Sequence, residues 1–170
     1  MENAVANEVI RESVHRMEEN TSKIRKCLEA LTDEDVWQRP NDASNSVGNQ
    51  LLHLCGNITQ YILSALGREP DNRQRDLEFS ADGGMTKNEL LARLELTVSK
   101  AVTVIKNIKE DELLPPRSVQ GFSYSAIGII IHVVEHYSYH TGQIIFWTKL
   151  LKNRDMGFYA GADLNRRNEP

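Results

Sequence analysis

The segment IIIHVVEHYSYHTGQIIFW, residues 129–147, places His132, His136 and His140 four residues apart, using three of the chain's 5 histidines. Residues four apart on a helix are neighbours, with Cβ atoms about 5–6 Å apart. Two imidazoles so placed can share one metal ion at about 2.0–2.1 Å. Three in register cannot. Each step of four drifts about 40°, and the outer two stand about 12 Å apart along the axis. The ligand pair is therefore His132 with His136, or His136 with His140, and a third ligand must come from elsewhere.

The remaining histidines are His15 and His53. His15 lies among Arg11, Glu18 and Glu19 and reads as a solvated surface residue. His53 sits in a segment, residues 43–67, that has no charged residue at all. The segment holding the histidine triplet is nearly as bare, with Glu135 alone between Ser118 and Thr148. Yet neither is apolar all round. Ser46, Asn49, His53, Asn57 and Gln60 fall within about 40° of one helical line. His132, His136, His140, Gln143 and Trp147 form a second such line. Solvated stripes attract Lys and Glu, so two neutral polar stripes predict a semi-buried wall, either a pocket lining or an interface.

HVVEH also spells H-x-x-E-H, a zinc-peptidase pattern with Glu135 as general base. That reading needs a later acidic ligand. After His136 only Asp155, Asp163 and Glu169 remain, all in the polar tail. Cys55 stands two residues from His53, about 160° away on a helix, which predicts a core position and not a ligand.

The elements that must position these residues read as helices. Apolar residues at Ile10, Val14, Met17, Ile24 and Leu31 mark a helix over about 8–31, with Asn7 as its cap. A polar connection through Pro40 follows. Residues 46–66 form a second helix closed by Gly67. Residues 67–85 make a long polar link. Thr86 and Glu89 form a capping box opening a third helix, with Leu90, Leu94, Val98, Ala101, Ile105 and Ile108 as its buried stripe. LPPRSVQG interrupts the chain, and Ser123 or Ser125 starts a fourth helix running to about 151. The tail from about 153 is polar and is expected over the surface. No strand-like alternation and no repeat is visible. The fold expected is all-α, one domain over residues 1–170, a four-helix bundle. A link as long as 67–85 can run back along a helix of about 30 Å. Helices two and three are then parallel neighbours, in an up-down-down-up order.

At 170 residues, 40% hydrophobic and 26% charged, the composition is that of a soluble globular domain. A net charge of -4 argues against nucleic acid as a partner. No run reaches the roughly 20 apolar residues of a membrane span. The opening MENAVANEVIRES is unlike a secretory signal, and two cysteines build no disulfide framework, so the expected location is cytoplasmic.

HVVEHYSYHTGQI resembles the fourth-helix motif of the DinB/YfiT-like superfamily of metal-binding proteins. SVGNQLLHLCGNI is similar to that family's second-helix segment, and VWQRPNDASNS to the stretch before it. The likeness covers most of the chain in order and spacing, and NRQRDLEFS resembles the central link of an uncharacterised subgroup. It implies the same up-down-down-up bundle and a metal triad of His53, His136 and His140, with His132 in a packing role. Thr141 departs from the Arg that many relatives carry there.

Three neutral imidazoles leave an ion an open position, as in catalytic sites. Zinc or nickel suits such a donor set. The relatives imply transfer of a low-molecular-weight thiol to an electrophile, with hydrolysis as the alternative and a non-catalytic helical interaction protein as the rival class. A general base is scarce in this sequence, because Glu135 points about 100° from His136; Gln143 reads as an orienting residue. A homodimer is expected, with Phe146 and Trp147 as residues that could pair between subunits.

Overall fold

The computed structural model describes residues 4–168. Its long elements follow the apolar periodicity. Helix α1 spans Ala4–Ala30 and buries Val14, Met17, Ile24, Cys27 and Leu28 on one face. Its start lies ahead of Asn7, which is helical and caps nothing. A short helix α2, Asp33–Trp37, occupies the expected polar connection, opened by a Thr32–Asp35 capping box. Three acids in its first turn suit the positive end of a helix, a local signal too short to show periodicity.

Helix α3, Val47–Ile58, begins at a Ser46–Asn49 capping box and runs into a π-helical turn, Thr59–Ser64. Gly67 is not the left-handed residue that closes it. Arg68 is, with φ 64°. Gly67 serves close approach instead, since a Cβ there would sit 2.6 Å from the Leu63 carbonyl oxygen.

The link is not bare loop. It contains helix α4, Arg75–Ser80. Helix α5, Lys87–Lys106, opens at the expected Thr86–Glu89 box and buries Leu90, Leu94, Val98, Ala101 and Ile105. Ile108 lies beyond its end and is half-buried. A 3₁₀ turn, Glu110–Glu112, leads into a second departure from expectation. Strands β1, Pro116–Val119, and β2, Phe122–Ser125, pair antiparallel, with Val119 opposite Phe122. Two four-residue strands are too short to show alternation. Their turn is marked only by Gln120 and Gly121, both at positive φ. Helix α6, Ala126–Lys152, is capped by Ser125.

The four long helices close one core. Helix α1 packs on α6 and α5, and α3 packs on α5 and α6. Met17, Ile24, Leu51, Leu54, Ile62, Leu94, Ile105, Ile129, Ile130 and Ile144 have no more than 1% of their surface exposed. The tail after Lys152 is mostly exposed, but Met156 is buried and Phe158 packs on the core. No described helix is long and apolar enough to cross a membrane.

Two contacts fix the link against α3. Trp37 lays its ring on Gly48, where a Cβ would come within 2.7 Å, and donates its indole N–H to the Met85 carbonyl at 2.8 Å. Buried Asn49 donates to the Glu78 carbonyl at 3.0 Å and the Ala81 carbonyl at 2.6 Å. Arg39 donates to the Phe79 carbonyl at 2.7 Å. Asn49 on the α3 stripe and Arg39 ahead of that helix thus satisfy the otherwise unpaired carbonyls ending α4.

Candidate metal centre

His53 comes from the middle of α3, and His136 and His140 from successive turns of α6. One ring nitrogen from each lies within 4.8 Å of the others. His53 Nε2 and His136 Nε2 are 3.1 Å apart. Two nitrogens sharing one ion at about 2.0–2.1 Å stand about 2.8–3.4 Å apart in octahedral or tetrahedral geometry, so this pair needs little adjustment. The ring centroid of His53 is 4.9 Å from that of His136 and 5.1 Å from that of His140.

Burial decides the charge of these rings. It lowers the pKa of His136 to about 3, with His140, His53, His132 and Arg73 adding repulsion. Burial, then His53, lowers that of His140 to about 4, against a hydrogen bond with Gln143. Both are neutral at pH 7, with lone pairs free for a cation. Nδ1 of His136 and of His140 is buried without a hydrogen-bond partner, and on His136 this is the nitrogen on the side of the ring away from His53. Neutral imidazoles with one nitrogen each converging in this way fit a transition-metal ion.

Sequence reasoning missed the acid that sets His53. Glu78, on α4, takes His53 Nδ1 at 2.9 Å. A carboxylate only accepts, so in this bond Nδ1 donates and Nε2 turns its lone pair toward His136; Arg73 Nη2, itself a donor 3.1 Å from Nδ1, then gives its hydrogen to Glu78 Oε2 and not to the ring. Arg73 holds the carboxylate in turn, with Nε to Oε1 at 2.7 Å and Nη2 to Oε2 at 2.8 Å, and reaches Gln60 Oε1 at 2.9 Å. Burial alone would raise the Glu78 pKa, but the bonds from Arg73 and His53 outweigh it and hold the group below its ordinary value. The only signal was a run of charges, NRQRDLEFS, in a link read as polar. The scarcity of carboxylates is corrected accordingly: one is present, but it is spent on Arg73 and on the far nitrogen of His53.

The other sequence candidates fall into place. His132 is half-buried and stacks on Tyr61 of the π-helical turn, with centroids 4.4 Å apart. Gln143 lies near enough to His140 to raise its pKa against the effect of burial. Glu135 is exposed, and so are Asp155 and Asp163, which leaves the peptidase pattern without its acidic ligand; Glu169 lies outside the described residues. Cys55 is buried, its thiol pushed up to about 11 by burial. His15 is exposed. Thr141 is buried, and its hydroxyl donates to the Tyr137 carbonyl.

A cleft of about 400 Å³ opens beside the triad, lined by His53, Asn57, Arg73, Arg75, Gln120, Phe122, His132 and His136. The α3 stripe, the link and the β-hairpin all contribute. No carboxylate is in this lining.

A family model described as a protein of unknown function, DUF1572, matches residues 4–160. No curated protein matches the chain. Among solved structures, a conserved protein from Enterococcus faecalis aligns with TM-score 0.70 at 14% identity, covering 85% of this chain and 97% of that one. A DinB-like protein from Bacillus cereus aligns with TM-score 0.66 at 16% identity, covering 82% and 90%. A DinB-like protein from Bacillus subtilis aligns with TM-score 0.65 at 12% identity, covering 85% and 94%. At these identities the likeness is one of fold.

Proposed function

The chain belongs to the DUF1572 family of unknown function and has a DinB-like fold, and from that premise we propose that His53, His136 and His140 hold one divalent transition-metal ion, zinc or nickel, for chemistry on a small molecule. The observation that carries this reading is the convergence of three imidazole nitrogens within 4.8 Å. The protein is read as a single cytoplasmic domain whose four long helices run up-down-down-up. Their packing order, α1 beside α5 and α6, and α3 beside the same two, is compatible with that course.

When bound, the ion would hold a coordinating thiol as thiolate or bring a water toward neutral acidity. Of these we favour transfer of a low-molecular-weight thiol to a small electrophile. The thiol proton leaves to solvent and the sulfur lone pair forms the new carbon–sulfur bond. The leaving group departs with the electrons of the bond that breaks. Hydrolysis would want a general base beside the triad, and the cleft offers none: Glu78 is committed and Glu135 faces away. The chain's own groups orient the donors, with Glu78 holding Nδ1 of His53.

A homodimer belongs to the same proposal. Ile131, Tyr139, Phe146 and Leu150 are 53%, 62%, 69% and 61% exposed along one face of α6. Trp147 packs on the core, so Phe146 is the residue offered to a second subunit.

The test is metal analysis of protein purified without a histidine tag, followed by turnover of an aryl chloride with and without added thiol. About one metal per chain, lost in His136→Ala, and thiol-dependent turnover are expected. Hydrolysis of an aryl ester without thiol would shift the assignment to a hydrolase. Unchanged metal content and melting temperature in His136→Ala would leave only a helical interaction protein.

A further inference from the structure

The cleft beside the triad has an electrostatic character that the chain as a whole does not. The protein carries a net charge of -4, yet the lining holds two guanidinium groups and no carboxylate. The two arginines are not equivalent. Arg73 is committed to Glu78 and Gln60, and its side chain is 4% exposed. Arg75 is exposed and makes no ion pair among the described residues. Its guanidinium lies 4.7 Å from the centroid of the Phe79 ring, and that ring lies 4.8 Å from the ring of His53. Stacking on Phe79 restrains the group while leaving its N–H donors in the plane available. Two ring contacts thus separate an unpaired, oriented cation from a metal ligand.

A second, independent observation marks the cleft as built for a polar ligand. Asn57, 4% exposed, leaves Oδ1 buried without a hydrogen-bond partner. Unpaired buried acceptors are costly, and the few in native proteins call for an explanation. Across the cleft, Tyr61 donates to Gln120 Oε1 at 2.9 Å, tying the hairpin turn to the π-helical turn. Phe122, 55% exposed, supplies an apolar wall at the same place.

We propose that this cleft takes a small substrate with an anionic group, carboxylate-like in size, which Arg75 receives while the reacting end sits at the triad. The Asn57 amide then accepts an N–H or O–H of the same molecule. This rests on the metal reading above and names the substrate class of that site.

The experiment uses tag-free protein loaded with cobalt(II), read by the absorption that a thiolate sulfur produces on binding cobalt. Two probes of similar size are titrated, 3-mercaptopropionate and neutral 2-mercaptoethanol. Wild type is expected to bind the carboxylate probe about tenfold more tightly, since a charge-assisted pair is roughly twice as strong as a neutral one. Arg75→Gln should abolish that preference and Arg75→Lys should keep part of it. Arg75 is exposed, so both variants are expected to melt as wild type does. Cobalt uptake with equal affinity for the two probes, or a preference that survives in Arg75→Gln, would overturn the anionic-substrate assignment alone. No cobalt uptake by wild type would overturn the metal reading and this proposal with it.

Discussion

Gly56 faces the Glu78 carboxylate so closely that even a methyl group on it would overlap Oε1 and crowd Arg73 Nε. The glycine is the space through which a buried ion pair reaches a histidine on the same helix. Gly56→Ala should favour the helix by about 1 kcal/mol on intrinsic propensity, but it must push the carboxylate off His53 Nδ1. Metal affinity should fall about 10–100-fold, the usual effect of losing such a support, while His136 and His140 are untouched. Competition against a chromophoric chelator measures it. Unaltered affinity would mean that Glu78 does not set the His53 ring.

Glu78→Gln tests the same support without adding bulk. The amide oxygen can still accept from His53, but Arg73 is left as a buried charge with no counterion. Removing one partner of a buried pair costs about 3–5 kcal/mol, which should appear as a lower urea midpoint for the metal-free protein. Arg73→Met combined with Glu78→Leu removes both charges and should recover much of that stability, yet still bind metal weakly. A double variant with wild-type affinity would reduce the pair to a packing role.

These residues also show where the sequence stopped being legible. The long helices were readable because their buried faces repeat at the helical period, as in Leu90, Leu94, Val98, Ala101 and Ile105. The triad was readable because imidazole is rare and its spacing matched both periodicity and a family motif. The short elements were not. Helix α2 has a local capping box but no room for periodicity, while α4 and the β-hairpin are held by tertiary partners, Asn49 under the α4 carbonyls and Tyr61 at Gln120. The pairing of Glu78 with His53 spans 25 residues of sequence, a separation no local pattern reports. A charged link was therefore read only as polar, although its Glu78 is buried.

The exposed face of α6 gives a prediction about assembly. Phe146 is 69% exposed, with Tyr139 and Leu150 beside it on the same face. If a second copy covers this face, Phe146→Glu places two carboxylates in an apolar interface and should give a monomer in sedimentation velocity at concentrations where wild type is a dimer. The substitution lies outside the core, so the monomer should keep its helical circular dichroism. A monomeric wild type would end the dimer expectation.

Acidification separates the histidines' role in stability from their role in binding. In the folded metal-free protein His136 titrates at about 3 and His140 at about 4, both lowered first by burial. In the unfolded chain they return to about 6.5. Between these limits the unfolded state binds more protons, so stability falls as the pH drops from about 6.5 toward about 3. Above about 7 both states are neutral at these groups and their contribution does not change. Urea midpoints of chelator-treated protein at intervals from pH 7.5 to 4 should fall steadily, and His136→Leu combined with His140→Leu should flatten that slope. Bound metal demands the same neutral rings, so acid should release it over the same range, with the loaded protein showing the steeper decline. A flat profile in the metal-free wild type would mean that the two rings accept protons in place, and that the site is wetter than its packing implies.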